Sequence, residues 1–430
     1  MLVNAQTKKY YRSFNDAYIM PDSVYYLKIC NNFKTNQSDI DKLYLLKNLV
    51  SLELCMGEME KVYLPESICQ LSNLKELKLP FISISSLPKE FVKFKNLKVL
   101  ELNMEGFKTQ TLKSFNLLKN KKTGEQKDFE ALPGNLSDYD YIGQRKESIG
   151  LGYEEILELK SLESLKLSGI RFTEIDLSKL INLKKLVIEK GSLQSIPNSV
   201  FKLKNLEELI IYDEVNTIPD AISQLQNLKV LKLDGVYSIS NEINKLSQLK
   251  YLELHGKIGN VVTKINALPS TIEYLYFDGL PLADFQFISD FKKLKVLQLN
   301  TKYRINGANF DTKCNLITFP NEVLFLHSLE SLYISADFNS LPENFGSIFS
   351  NLNYLEISAP LKTLPKSFER MSKLKSLILN EHQLQTLSID FSKMPNLKEV
   401  DIHEYDNPKL ILTPKQKQFL ENHSVIYNGG

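Results

Sequence analysis

Hydrophobic residues along this chain fall into one recurring frame, L-x-x-L-x-L, in which Val, Ile or Phe can stand for Leu. The frame begins at Val24, Leu49, Leu74, Leu97, Leu162, Leu183, Leu206, Leu228, Leu249, Ile272, Leu294, Leu329, Leu352, Leu374 and Leu397. Most successive starts lie 21 to 25 residues apart, while the steps after Leu97 and Leu294 are 65 and 35 residues. A period of this length marks a repeat array, although 430 residues alone would suggest two or three globules. Alternation within the frame has period two and predicts a strand. Its fourth and sixth residues face a core, its third and fifth an open face, and its seventh the strand's exit.

A second pattern fills the remainder of many units. Leu87-Pro88, Ile196-Pro197, Ile218-Pro219, Leu341-Pro342 and Leu364-Pro365 follow their frame starts by 12 or 13 residues, and Phe319-Pro320 has the same form in a unit with an insertion. Apolar residues come three and six after the Pro, as at Phe91 and Phe94 or Ile222 and Leu225, often with Asn just before the next Leu (Asn96, Asn227). This i, i+3 spacing suits a short helical turn that tolerates Pro at its start.

On these motifs, residues 24–403 resemble the leucine-rich-repeat family, in its roughly 23-residue variety with L-P in the outer segment. The resemblance implies an α/β fold: a curved right-handed superhelix with a parallel β-sheet on its concave face and short helices or 3-10 turns on its convex face. The family usually carries Asn at the ninth frame position. Here Gly57, Ile82, Ile170, Gly191, Glu214, Val236, Leu280 and Pro360 stand there and only Asn32 fits, so the exit turns must satisfy their backbone groups another way. A single unit of about 22 residues cannot bury its six or seven apolar side chains, and stacking shares that burial between neighbours. Fifteen strands would make a sheet roughly 65–70 Å wide.

The organisation expected is therefore an N-terminal cap over 1–23, about 15 repeats over 24–403, and a C-terminal cap over 404–430. Tyr10, Tyr11, Phe14 and Tyr18 supply the first cap with apolar area, and Thr413-Pro414 starts a helix through Leu420 that precedes a strand over Ser424–Tyr427. Irregular insertions fall near 121–155 and 300–316. The first reads as a degenerate unit with Phe129 and Leu132 as its strand, after an outer segment through Phe115, Leu118 and Asn120; the alternative is a polar excursion. The second contains Tyr303, Arg304 and Phe310.

The frame also maps the open face. Near the N-terminus its fifth positions read Lys28, Glu53, Lys78, Glu101, Lys166, an alternation of charge that suits a solvated ladder fixing the stacking register. Farther along, Tyr251, Tyr274, Tyr276, Val296, Tyr333 and Tyr354 occupy outward positions on five consecutive strands. Tyrosine combines large area, few rotamers and a hydroxyl, so these six form the expected partner-binding patch on the concave face. The seventh positions beside them, Tyr212, Asp234, His255, Asp278 and Asn300, form its polar rim. Asp, His and Asp on neighbouring strands also suggest a divalent cation, but ladders hold side chains parallel whereas metals need convergent ligands. The rim reading is preferred and no metal is expected.

Composition narrows the function. With 53 Lys+Arg against 51 Asp+Glu, a net charge of +2 gives no general pull toward nucleic acid. No apolar run is long enough for a spanning helix, and no secretory signal is recognisable, so the default compartment is cytoplasmic. Cys30, Cys55, Cys69 and Cys314 show no CxxC spacing and are expected to be free thiols, although Cys30 and Cys55 share the seventh position on adjacent strands and oxidation would join them. No G-x-S-x-G, Walker or HExxH motif occurs, so neither catalytic residues nor a cofactor is expected. The resulting expectation is a non-catalytic scaffold, monomeric, that binds a protein or peptide ligand. The alternative is a secreted or surface-exposed bacterial adhesin or effector that recognises a host or cell-surface ligand.

Overall fold

The computed structural model describes residues 9–30, 37–55, 63–84, 86–105, 113–120, 126–128, 139–147, 154–169, 175–256, 265, 268–280, 285–304, 312–313, 316–402, 410–422 and 426–428. Two compact units divide the chain, Met1–Ile170 and Arg171–Gly430. In both, the frame does what its alternation predicts. Every one of the fifteen frames carries a strand that begins two residues after its first apolar position.

In the first unit, β1 (Tyr10–Tyr11), β2 (Tyr26–Ile29), β3 (Ser51–Leu54), β4 (Glu76–Ser83) and β5 (Val99–Asn103) pair in parallel and in order. The chain then leaves the repeat for an antiparallel sheet of β6 (Lys113–Asn120), β7 (Gln126–Asp128) and β8 (Tyr139–Glu147), with β6 in the middle. It returns to β9 (Ser164–Ser168), which pairs directly with β5, Glu101 opposite Lys166. This corrects the expectation of a degenerate unit, because no repeat strand stands between β5 and β9. The i, i+3 spacing of Phe115 and Leu118 imitates an outer turn, but both belong to β6. Phe129 and Leu132 lie outside the described residues.

The second unit stacks β10 (Lys185–Glu189), β11 (Glu208–Glu214), β13 (Val230–Val236), β15 (Tyr251–Gly256), β16 (Tyr274–Asp278), β17 (Val296–Asn300), β20 (Ser331–Ser335), β21 (Tyr354–Ser358), β22 (Ser376–Asn380), β23 (Glu399–Ile402) and β24 (Ile426–Asn428), all parallel. Two short ribbons flank it. The outer pair is β12 (Thr217–Ile218) with β14 (Ser238–Ile239); the other is β18 (Tyr303–Arg304) with β19 (Thr312–Lys313), inside the second insertion. Phe310 and Cys314 are outside the described residues.

Outer segments wind at three residues per turn, as their spacing requires. The Pro219 carbonyl accepts from Ile222, Ile222 from Leu225, and Leu225 from Leu228 at the next frame start, each at 3.0 Å. The same chain runs from Pro88 through Phe91 and Phe94 to Leu97, and from Pro365 through Phe368 and Met371 to Leu374. Pro sits one residue ahead of the turn, where its fixed φ and free carbonyl both serve. Every apolar residue in these chains is buried.

The missing ninth-position Asn is replaced by two devices. Eighth-position N–H groups continue the ladder to the next strand's seventh carbonyl, as from Gly279 to Asn300, Thr301 to Ser335, Ala336 to Ser358 and Ala359 to Asn380. The Asn that precedes many of the frames supplies the second. Asn48, Asn73 and Asn96, and in the other unit Asn205, Asn227, Asn351 and Asn396, donate to a carbonyl one repeat back at 2.7–3.4 Å. The acceptor always lies two residues before the preceding frame start, so these side chains bind each turn to the last.

At the N-terminal end, β1 adds a strand and Tyr10 packs on Tyr26, ring centroids 5.4 Å apart. Phe14 is buried, and the Tyr18 hydroxyl donates to the Asp39 carbonyl at 2.5 Å. At the other end a helix over Pro414–Asn422 opens with a capping box. Thr413 Oγ1 accepts from the Gln416 N–H, and Gln416 Oε1 accepts from the Thr413 N–H. The closing strand is β24, which begins two residues later than expected and ends one later.

Candidate interaction surface

Across β13 to β22 the inward fourth and sixth positions are buried, and the third, fifth and seventh are largely half-exposed. All six patch residues lie on the open face. Tyr251, Tyr274, Val296, Ser331 and Tyr354 stand opposite one another along the third-position row; Glu253, Tyr276, Gln298, Tyr333 and Glu356 do so along the fifth.

The rings are organised in two groups. Tyr251 stacks on Tyr276 at 5.1 Å and on Tyr274 at 6.0 Å. Tyr333 stacks on Tyr354 at 4.6 Å. Two of the tyrosines are also tied by hydrogen bonds, because third and fifth positions of one strand share a face: Tyr251 donates to Glu253 at 2.7 Å, and Tyr354 donates to Glu356 at 2.8 Å. Burial first, then these carboxylates, raise the Tyr251 and Tyr354 hydroxyls well above the ordinary phenol range. Rings held this way lose little further freedom on contact with a ligand.

His255 occupies the centre of the rim. Nδ1 faces Asp278 at 3.2 Å, and Nε2 faces Glu253 at 3.0 Å and Asp234 at 4.0 Å. The two ring nitrogens therefore point to different carboxylates. Asp234 and Asp278 do not converge on one point, as a shared cation would require. Asn300 donates to Asp278 at 2.6 Å and extends the row. Tyr212 does not join it. A bulge in β11 sets Glu214 opposite Asp234, and Tyr212 is left 44% exposed, a correction to the expected rim.

The hydrogen bond to Asp278 raises the His255 imidazole to about 9, with Glu253 and Asp234 adding to it against burial. Burial alone would raise Glu253, but Lys232, His255 and Tyr251 together hold it at about 2. The folded pKa of His255 exceeds its unfolded value of about 6.5. Its stabilisation is thus complete below pH 6.5 and lost as pH rises through about 9, on the order of 1 kcal/mol after allowance for its partial exposure. An NMR titration of the His255 ring should give a midpoint near 9 that moves down in Asp278→Asn. A midpoint near 6.5 in the unaltered protein would contradict this arrangement.

Beyond the rim, a depression of about 700 Å³ opens at the exit of β17, β20, β21 and β22, with Tyr333, Glu356 and Glu381 in its wall. Lys302 lies behind Glu381, pairing with it and with Asp337 at 3.6 Å, its side chain 11% exposed. Glu356 and Glu253 were readable as fifth positions two residues after a tyrosine. Lys302 and Glu381 were not, because they sit in exit turns whose conformation the period does not specify.

In the first unit the charge ladder forms as expected at both ends, with Lys28 to Glu53 at 2.7 Å and Lys166 to Glu101 at 3.0 Å. The cysteine expectation is corrected. Cys30 and Cys55 are joined by a disulfide, Cα atoms 4.4 Å apart, because paired frames bring their seventh positions side by side. Their sulfurs and Glu53 cluster closely, but sulfurs bonded to each other are not free to ligate a metal.

No family model matches the chain. A leucine-rich-repeat protein of Leptospira interrogans has a similar structure, with TM-score 0.64 and 26% identity over 97% of this chain and 98% of that one. A TDR receptor superposes over 99% of this chain and 71% of its own, with TM-score 0.51 and 18% identity, a likeness of fold. In sequence, the human volume-regulated anion channel subunit LRRC8B is 29% identical over 243 residues, 48% of this chain and 27% of that protein. The adenylate cyclase of Schizosaccharomyces pombe is 24% identical over 77% of this chain and 23% of its own length. The chain thus spans about a quarter of the length of the curated relatives it matches. None of the described helices is long and apolar enough to cross a membrane.

Proposed function

We propose that this leucine-rich-repeat protein is a non-catalytic interaction module that takes a protein or peptide ligand on the open face of β15 to β21. The observation that carries this reading is the pair of tyrosine stacks, five rings on outward positions of four strands, two of them fixed by a hydrogen bond to a carboxylate. Outward positions near the N-terminus carry mostly Lys, Glu and Ser on the same geometry, so strand propensity alone does not account for the tyrosines. Preorganised tyrosines beside a polar rim are the usual make-up of an interface centre. The non-catalytic part rests on the sequence, which carries no nucleophile-elbow, Walker or zinc-protease motif.

The test is affinity capture with the wild-type chain and with Tyr274→Ala/Tyr333→Ala, captured proteins being identified by mass spectrometry. Neither ring supports the core, so the circular dichroism should be unchanged. Affinity for the wild-type ligand should fall about hundredfold or more, as loss of two central aromatic contacts requires. Equal capture by the variant would refute the assignment of this face.

A second reading, a secreted or surface-exposed recognition protein, is favoured by the Cys30–Cys55 disulfide, since such bonds persist in oxidising compartments. Alkylation mapping of the protein taken from its source separates the two. A protected Cys30–Cys55 pair supports the exported reading, and two alkylated thiols support the cytoplasmic one.

A further inference from the structure

We propose that the depression beside Tyr333 is a subsite for the guanidinium of an arginine side chain of the ligand, an inference that rests on the interaction reading above. Two Tyr–Glu pairs occupy matched positions within the second unit. Tyr251 and Glu253 occupy the third and fifth positions of β15; Tyr354 and Glu356 occupy the same two positions of β21. In each pair the tyrosine hydroxyl donates to the carboxylate, at 2.7 Å and 2.8 Å.

The first pair already holds a cation of its own. Lys232, at the fifth position of the preceding repeat strand, lies 4.4 Å from the Tyr251 ring centroid and 2.8 Å from Glu253 Oε2. The second pair has none among the described residues. The equivalent position on β20 is Tyr333, whose ring stacks on Tyr354, and among the described residues no cationic group lies within ion-pair distance of Glu356. The other neighbour in the row is Ile378, on β22. Glu356 is instead oriented by neutral donors, the Tyr354 hydroxyl and, at 3.3 Å, Asn380 Nδ2. Among the described residues its charge thus has no cationic partner, while its position is fixed.

The surroundings point the same way. Both charged residues in the wall, Glu356 and Glu381, are carboxylates. Lys302 pairs with Glu381 and Asp337 and does not reach Glu356. An arginine matches this setting better than a lysine. A planar guanidinium stacks on a tyrosine face while its fork donates to a carboxylate, and Asn300, Ser335 and Asn380 in the lining offer acceptors to its remaining N–H groups.

The probe is N-acetyl-arginine amide, titrated into the full chain carrying ¹³C-labelled tyrosine rings, with N-acetyl-citrulline amide as its neutral isostere. The Tyr333 and Tyr354 signals should shift saturably with the arginine probe, and citrulline should bind at least about tenfold more weakly, as loss of a charge-assisted contact requires. Glu356→Gln should abolish the shift. Tyr333→Lys, which installs an internal cation at the position Lys232 holds on its own strand, should abolish it too while leaving the thermal midpoint unchanged. Equal response to citrulline, no saturable response, or an unchanged response in Glu356→Gln overturns the proposal. These readouts need no macromolecular partner. If they fail while Tyr274→Ala/Tyr333→Ala still loses its captured protein, the arginine subsite alone is refuted. If they succeed while that variant keeps its protein, the interaction reading fails instead.

Discussion

Replacing Phe345 with alanine should cost about 3–5 kcal/mol, the range for a large aromatic removed from a core that collapses only partly around the gap. Phe345 is fully buried in the outer segment before β21. Its ring meets Phe319 at 5.6 Å and Phe349 at 4.8 Å edge-on, and stacks on Phe368 at 5.3 Å. Phe319, Phe345 and Phe368 belong to three successive repeats, so one ring supports the contact with both neighbours. In a stack whose stability is a sum of repeat and interface terms, the loss should be concentrated near the gap. Urea unfolding followed by circular dichroism should show the lower midpoint, and hydrogen exchange should show protection lost first in the repeats on either side of Phe345. A change below about 1 kcal/mol would mean that this ring is not the junction described.

Gly235→Ala should cost about 2–4 kcal/mol for a different reason. Gly235 is the eighth residue of its frame, near the end of β13 with φ +72°, and a Cβ there would lie 2.6 Å from Glu214 Cα at the end of the paired strand β11. Alanine thus meets both the left-handed penalty and a backbone contact that cannot yield without moving a strand. Gly279 is the control. It holds the same frame position at φ +64°, but the nearest atom to a Cβ is 4.0 Å away, so its alanine variant should show only the conformational part, about 1–2 kcal/mol. Thermal unfolding of the two variants side by side measures the difference. Equal losses would show that the close approach of Gly235 to Glu214 has no energetic consequence.

Much of this architecture was legible because it depends on period alone. A leucine frame locates each strand to the residue, since burying one face of a pleated strand leaves a single register available. The outward tyrosines follow from the same alternation, and the three-residue spacing after each proline marks the outer turns. Legibility ends where the period does. Phe115 and Leu118 copy the outer spacing but lie in β6, whose partners are supplied by the insertion and not by the stack. Tyr212 is displaced by a bulge, which shifts register without any change in hydrophobic pattern. Lys302 and Glu381 meet only because exit turns of separate repeats come together, Glu381 at φ +55°, and no sequence spacing records that approach. The Cys30–Cys55 bond needed one further fact besides register, the oxidation state of the sulfurs.

The interaction face is tested most directly by hydroxyl-radical footprinting of the chain with and without its captured ligand. Oxidation of Tyr274, Tyr276, Tyr333 and Tyr354 should fall in the complex, while Phe325 and Ile317, exposed outside the sheet, react as before. Protection of Phe325 and Ile317 with unchanged tyrosines would place the ligand elsewhere and contradict it.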